Sequence, residues 1–193
     1  MAFAPLPPSA AWQHRGARSG FEVVYFHPCD DGYHIEGWAT AIEDGTTWAV
    51  EYAIDVDPAW ATRQARIRGR SAAGSCSAGL VADGAGHWLV NGEPAAHLDG
   101  CLDVDLEASA MTNALPVRRM ALPPGGTAAA PAAYVRAVGL AVDRLGQTYA
   151  RVAGETAGQR YDYAAAAFEY AGRLTYDQAG LVLDYPQIAV RAG

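Results

Sequence analysis

The segment from Leu98 to Met120, LDGCLDVDLEASAMTNALPVRRM, gathers the residues best suited to chemistry. Asp103, Asp105 and Glu107 stand two apart and alternate with Leu102, Val104 and Leu106. That is a strand period, so the three acids share one face. Same-face side chains on a strand lie about 7 Å apart, whereas a single cation holds its oxygens at about 2–2.6 Å. The acids therefore do not converge on one ion. His14, His27, His34, His87 and His97 form neither HxH nor HExxH, and Cys29, Cys76 and Cys101 form no CxxC. No metal and no other cofactor is expected, and no residue is assigned as catalytic. Carboxylate pairs of glycoside hydrolases sit about 5–9 Å apart, so Asp103 and Asp105 permit hydrolysis. The pattern fits a solvated strand face better. GxSxG, GxGxxG and the P-loop are absent. The stretch GSCSAG around Cys76 resembles a cysteine-nucleophile loop, but with no histidine placed beside it the favoured reading is a Gly/Ser turn.

Arg118 and Arg119 are the less ordinary pair. Read as strand residues, they point to opposite faces, which turns one inward. A buried guanidinium needs a carboxylate, and Asp99, Asp103 and Asp105 are the candidates. A structural salt bridge that fixes the TNALP crossover is favoured over a clamp for a ligand anion.

Composition narrows the classes. The 193 residues suit one domain, and 51% hydrophobic content is enough for a sizeable core. The net charge is −7, and the one dense basic run is Arg63, Arg66, Arg68 and Arg70. Nucleic acid is therefore not an expected partner. Three scattered cysteines do not make a disulfide framework. The start, MAFAPLPPSAAWQHRG, lacks the pattern of a signal peptide, and no window is apolar enough for a membrane span. The expected compartment is the cytoplasm of a bacterium. Five Trp and ten Tyr against four Phe favour walls that offer a ring and a polar handle together.

The elements that position these residues read as β. Residues 1–19 are expected to form an irregular lead-in, and 20–193 a single β-barrel-like domain. Residues 21–26 and 33–42 read as a hairpin. TTWAVEYAIDVD places Trp48, Val50, Tyr52, Ile54 and Val56 on one face. In WATRQARIRGR, Thr62, Gln64, Arg66, Arg68 and Arg70 share a face expected to be solvated. Asp83-Gly84 marks a hairpin turn, and another is expected around 177–180. YVRAVGLAV, QTYARVAG and, despite its alanine run, QRYDYAAAAFEYAG read as strands. Turn signals recur about every ten residues, which argues for antiparallel β with sandwich or barrel closure. Little helix is expected.

Several of these stretches resemble the bacterial family described as putative glycolipid-binding proteins. They are DGC-DVDL at Asp99–Leu106, TN-LP-RR at Thr112–Arg119 and GLV-DYP at Gly180–Pro186. YAIDVDPAWATRQARI, with Asp57, Trp60 and Arg63, and GHWLVNGE add to them. The likeness runs from about Glu22 to Arg191. It departs at Ser109-Ala110, where Thr-Pro is expected, and at Ala114, where Thr is expected. The resemblance implies a large curved antiparallel sheet, an incomplete barrel similar to periplasmic lipoprotein carriers.

On this reading an amphiphile, a glycolipid or acyl compound, lies in the concavity. Neutral heads and single acyl chains are preferred over nucleotides and polyanions. Trp38, Trp48, Tyr52, Tyr161 and Tyr163 are candidate wall residues. Asp103, Asp105, Asn113, Arg118 and Arg119 are the candidate polar contacts. The alternatives are a hydrolase of a lipid or glycoconjugate using Asp103/Asp105 with Arg118/Arg119, and a barrel filled by its own side chains. The oligomeric state is not legible.

Overall fold

In a computed structural model, which describes residues 3–153 and 158–193, the described residues form seventeen strands and one short α-helix. The expected assignments at Gly154 and at the first two residues of the lead-in lie outside the described residues. The strands are β1 (Ser9–His14), β2 (Arg18–Cys29), β3 (Gly32–Glu43), β4 (Thr46–Val56), β5 (Thr62–Ser71), β6 (Gly74–Ala82), β7 (Trp88–Val90), β8 (Glu93–Pro94), β9 (Asp103–Leu106), β10 (Thr127–Ala129), β11 (Ala132–Val135), β12 (Val142–Leu145), β13 (Thr148–Arg151), β14 (Gln159–Ala165), β15 (Tyr170–Tyr176), β16 (Val182–Tyr185) and β17 (Ala189–Arg191). The helix, α1, is Ala114–Met120.

Fourteen strands make one antiparallel sheet in the order β10-β13-β14-β15-β16-β17-β1-β2-β3-β4-β5-β6-β7-β8. Its end strands do not pair with each other, so the barrel stays open. The expected hairpins β2–β3, β6–β7 and β15–β16 are present. The second sheet, β12-β11-β9, pairs β11 in parallel with β9. This inner sheet and α1 pack against the inward side chains of the large sheet.

Four local expectations are corrected. Ser9–His14 is not irregular lead-in. It is β1, which pairs with β17 on one side and β2 on the other and joins the two halves of the sheet. Trp12 is fully buried, and its indole N–H donates to the Val182 carbonyl at 2.7 Å. Arg118 and Arg119 lie in the last turn of α1, not on a strand. YVRAVGLAV is itself a hairpin, β11–turn–β12. Cys76 lies within β6 rather than in a turn.

A fifth correction matters most. Asp103 and Asp105 are buried, not solvated. β9 runs inside the concavity, so both its faces are covered. Asp103 accepts two bonds from Arg119, at 2.9 Å from Nε and 2.6 Å from Nη2. The expected ion pair between this arginine pair and an acid of the strand is therefore made, from a helix turn.

Arg66, Arg68 and Arg70 are exposed as expected, but Thr62 is buried. The β4–β5 register slips between Asp55 and Val56, so Arg63 bulges out and Thr62 turns in. The Thr62 hydroxyl then accepts the Val104 N–H at 3.1 Å, tying β5 to β9.

One further lock uses a residue with no assigned role. Glu22 faces inward from β2 and is fully buried. It accepts the Tyr52 hydroxyl at 2.6 Å, the Ala110 N–H at 2.8 Å and the Ser109 hydroxyl. Tyr52 lies over Gly37, where a Cβ would fall 2.1 Å from the ring. Burial raises the pKa of Glu22, against those hydrogen bonds.

Arg119→Met should leave Asp103 buried and unpaired, costing about 3–5 kcal/mol. Gly37→Ala should destabilise by displacing Tyr52 from Glu22. Urea denaturation of both variants checks this, and an Arg119→Met midpoint equal to wild type would refute the first.

Candidate ligand-binding cavity

The large sheet's concavity is not open along its length. The inner sheet and α1 fill it, and a cavity of about 330 Å³ remains at one end. That end carries the turns between β1 and β2, β14 and β15, and β16 and β17. An acyl chain laid along a bare concave face, as expected above, has no such face to lie on.

Tyrosines form one wall. The rings of Tyr163 (β14), Tyr170 (β15) and Tyr185 (β16) lie 5.6–5.9 Å from one another, so each packs on the other two. Tyr134 of β11 stands opposite, 5.2 Å from Phe168 in the β14–β15 turn. The Arg136 guanidinium sits 5.3 Å from the Tyr134 ring and 5.5 Å from Phe168. A second layer, Tyr149, Tyr161 and Tyr176, backs the first, with Tyr149 5.0 Å from Tyr163.

The floor is polar. Asp105 accepts the Gln147 side-chain N–H at 2.6 Å and the Thr112 hydroxyl at 3.0 Å. The Tyr149 hydroxyl is 2.9 Å from Asn113 Oδ1 and 3.0 Å from Gln147 Oε1, and donates to one at a time. At the rim, Arg18 is held by Glu43 at 3.0 Å and by the Glu107 carbonyl. Glu107 in turn accepts the Ala137 N–H at 2.8 Å.

Burial pushes the Asp105 carboxyl up to about 6, with smaller contributions from the charges of Asp103 and Glu107. Its two hydrogen bonds oppose the shift. Burial also raises the hydroxyls of Tyr134, Tyr163 and Tyr185, which stay neutral at any physiological pH. The cavity thus offers ring faces, neutral hydroxyls, an amide, one carboxyl and two rim guanidiniums. This set suits a ligand rich in hydroxyls more than a bond-breaking step. Among the described residues no group of three or more His, Cys, Asp or Glu side chains is placed to hold a metal ion.

Of the expected residues, Asp105, Asn113 and Tyr163 line the cavity. Tyr161 lies in the second layer and Asp103 is engaged by Arg119. Tyr52 serves Glu22 in the other half. Trp48 is buried with Arg18 5.7 Å from its ring. Arg118 is far from the cavity, over Trp60 at 4.0 Å and donating to the Ala179 carbonyl. Trp38 projects from the outer face, 43% exposed, because it falls on the outward parity of β3. The Asp103/Asp105 and Arg118/Arg119 set is therefore not assembled into one site. The unassigned contributors are Arg18, Tyr134, Arg136, Tyr170 and Tyr185. The spacing of Tyr163, Tyr170 and Tyr185 near the ends of successive strands was the available signal.

This architecture defines a class: an open antiparallel barrel wrapped around an inner layer, with a small aromatic cavity at one end. The chain belongs to the family described as "Putative glycolipid-binding", whose model matches residues 9–191. It is similar to a DUF1089 family protein from Pseudomonas aeruginosa whose crystal structure is known. That match has 28% identity, a TM-score of 0.75, and covers 100% of this chain and 98% of the other. A β-barrel-like protein of the domain of unknown function DUF1849 from Brucella abortus matches at 10% identity and a TM-score of 0.56. It covers 98% of this chain and 96% of that one, and the likeness is one of fold. No curated protein matches. Among the described residues no helix is long and apolar enough to cross a membrane.

The raised Asp105 pKa has a stability consequence. Between the unfolded value near 3.8 and the folded value of about 6, the native state holds a proton that the unfolded chain releases. Stability from this group therefore falls as pH rises through that window, by roughly 3 kcal/mol in all. Asp105→Asn should remove that slope, so its stability relative to wild type should improve between about pH 4 and pH 6. Denaturation at a series of pH values checks it, and parallel curves would refute it.

Proposed function

We propose that the protein binds a glycolipid by its sugar head, which occupies the tyrosine-walled cavity while the acyl chain stays largely outside. The observation that carries this reading is the triangle of Tyr163, Tyr170 and Tyr185 facing the polar floor of Asp105 and Asn113. Ring faces take the C–H faces of a sugar, and hydroxyl, amide and carboxyl groups take its hydroxyls. A volume of about 330 Å³ is at the lower end for small-molecule sites. It suits a head of one or two sugars, not a head together with long chains. The family description supports the same ligand class. The bacterial, cytoplasmic setting is part of this proposal.

Calorimetric titration with alkyl glycosides that differ separately in head and in chain tests it. Affinity should change with the head and rise little with chain length, well below the ~0.8 kcal/mol that each fully buried methylene would add. Tyr163→Ala or Asn113→Ala should weaken binding by about ten-fold or more, equivalent to ~1.4 kcal/mol. A steady gain per methylene with no dependence on the head would overturn the reading.

A further inference from the structure

Among the described residues, nothing covers the outer face of β2–β6. Five large apolar side chains stand on it at two-fifths exposure or more: Phe21, Tyr25, Trp38, Ile42 and Val81. Strand register arranges the face in level rows. One row runs Tyr25, Glu36, Ala53, Arg66, Gly79. The next runs Val23, Trp38, Glu51, Arg68, Ser77, and the third Phe21, Thr40, Ala49, Arg70, Ser75. Over β4, between Trp38 and Arg68–Arg70, lies an open groove of about 560 Å³.

We infer that this face binds a second copy of the chain about a two-fold axis running along β4. Such an axis keeps every row level. It lays β3 on β5 of the second copy, and β2 on β6. Glu36 then meets Arg66 of the second copy, and Trp38 meets Arg68 of the second copy, ring under guanidinium. Tyr25, Val23 and Phe21 meet Gly79, Ser77 and Ser75. Each of these three thus faces a small residue, and Val81 meets His27 of the second copy.

The curvature of the sheet fits this arrangement. Two convex sheets approach most closely at the axis and diverge to each side. Small residues, Ala49 and Ala53, lie on the axis strand, Trp38 lies one strand away, and Phe21 and Tyr25 lie two strands away, where they have a gap to fill. Charge selects the partner. The whole chain carries −7, but this face balances Arg66, Arg68 and Arg70 against Glu36, Glu51 and Asp55. Two copies therefore meet without net repulsion, whereas a polyanion or an anionic bilayer gains little from a neutral face. The Glu51 carboxylates and the Asp55 carboxylates, both on the axis strand, oppose the contact. Arg68, beside Glu51 in the same row, and Arg66, paired with Asp55, offset them. Within one chain Glu36 lies 3.5 Å from His27 and 3.6 Å from His34, and Arg66 3.8 Å from Asp55, so both charges are already held level on the face.

Analytical ultracentrifugation of the full chain over a wide concentration range tests the pairing. Wild type should sediment at twice the chain mass at high concentration. Glu36→Arg and Arg66→Glu should each raise the dimer dissociation constant by about ten-fold or more. The double variant, which exchanges the charges, should recover most of the loss. Trp38→Asp should give a monomer with an unchanged far-ultraviolet circular dichroism spectrum. A wild type that stays monomeric at every concentration overturns the inference. So does a dimer that survives Trp38→Asp, or a double variant no tighter than the single ones.

Discussion

A stretch of polar backbone lies inside the curve of the large sheet, and the rest of the structure follows from the need to satisfy it. The chain from Asp103 to Met120 is buried on nearly every side, yet it carries two aspartates, a glutamate, a serine, a threonine, an asparagine and two arginines. Buried polar groups without partners cost free energy of the order of a kcal/mol or more each. The surrounding sheet supplies the partners at fixed places. Glu22 on β2 takes the Ser109 hydroxyl and the Ala110 N–H, Thr62 on β5 takes the Val104 N–H, and Gln147, just before β13, binds Asp105. These bonds come from strands far apart in the sheet. They hold the inner layer in one register, so the sheet curls around a filled interior.

The large sheet was largely legible in the sequence because outward residues are polar and inward ones apolar over long strands. β3, β4 and β5 alternate almost without exception, and the Gly and Asp turns between them are explicit. Alternation fails where both faces are covered. β9 alternates as strictly as any surface strand, yet its acids are buried, because period reports which residues share a face and not what lies against it. β1 was missed for a related reason. It follows a proline-rich run, and its six residues mix Ala, Ser and Gln with one Trp. Its place comes from tertiary pairing with β17 and β2, which no local pattern encodes.

The site was legible in part. Asp105 and Asn113 fall within the most distinctive motif of the chain, and Tyr163 lies on a strand with clear period. Arg18, Tyr134 and Arg136 were not readable. They reach the cavity from β2 and from β11 with the turn that follows it, and only the long-range β9–β11 pairing brings Tyr134 level with Asp105. The reverse error, Trp38, has a plain cause. An aromatic residue on a strand favours neither face by itself. The parity of β3 is fixed by Ile35 and Ala39, both fully buried, and it sends Trp38 outward.

The position of the cavity follows from the two-faced character of β9. Val104 and Leu106, with Ala133 and Val135 beside them on β11, pack into the half of the barrel whose core is Val24, Ile35, Ile54, Ile67 and Leu80. Branched aliphatic chains of that kind interlock closely and leave little space. Asp103 and Asp105 point the other way, into a half whose core is largely tyrosine. Rings carrying hydroxyls pack tilted or edge to face at 5–6 Å, and each hydroxyl needs a partner of its own. Such a core does not close as tightly around acids. Where Arg119 reaches Asp103 the polar side is sealed by an ion pair. One pair further along β9, at Asp105, no cation among the described residues seals it, and neutral donors and tyrosine rings surround a space instead. The cavity is thus the unsealed end of the same acidic face that, two residues back along β9, anchors the helix.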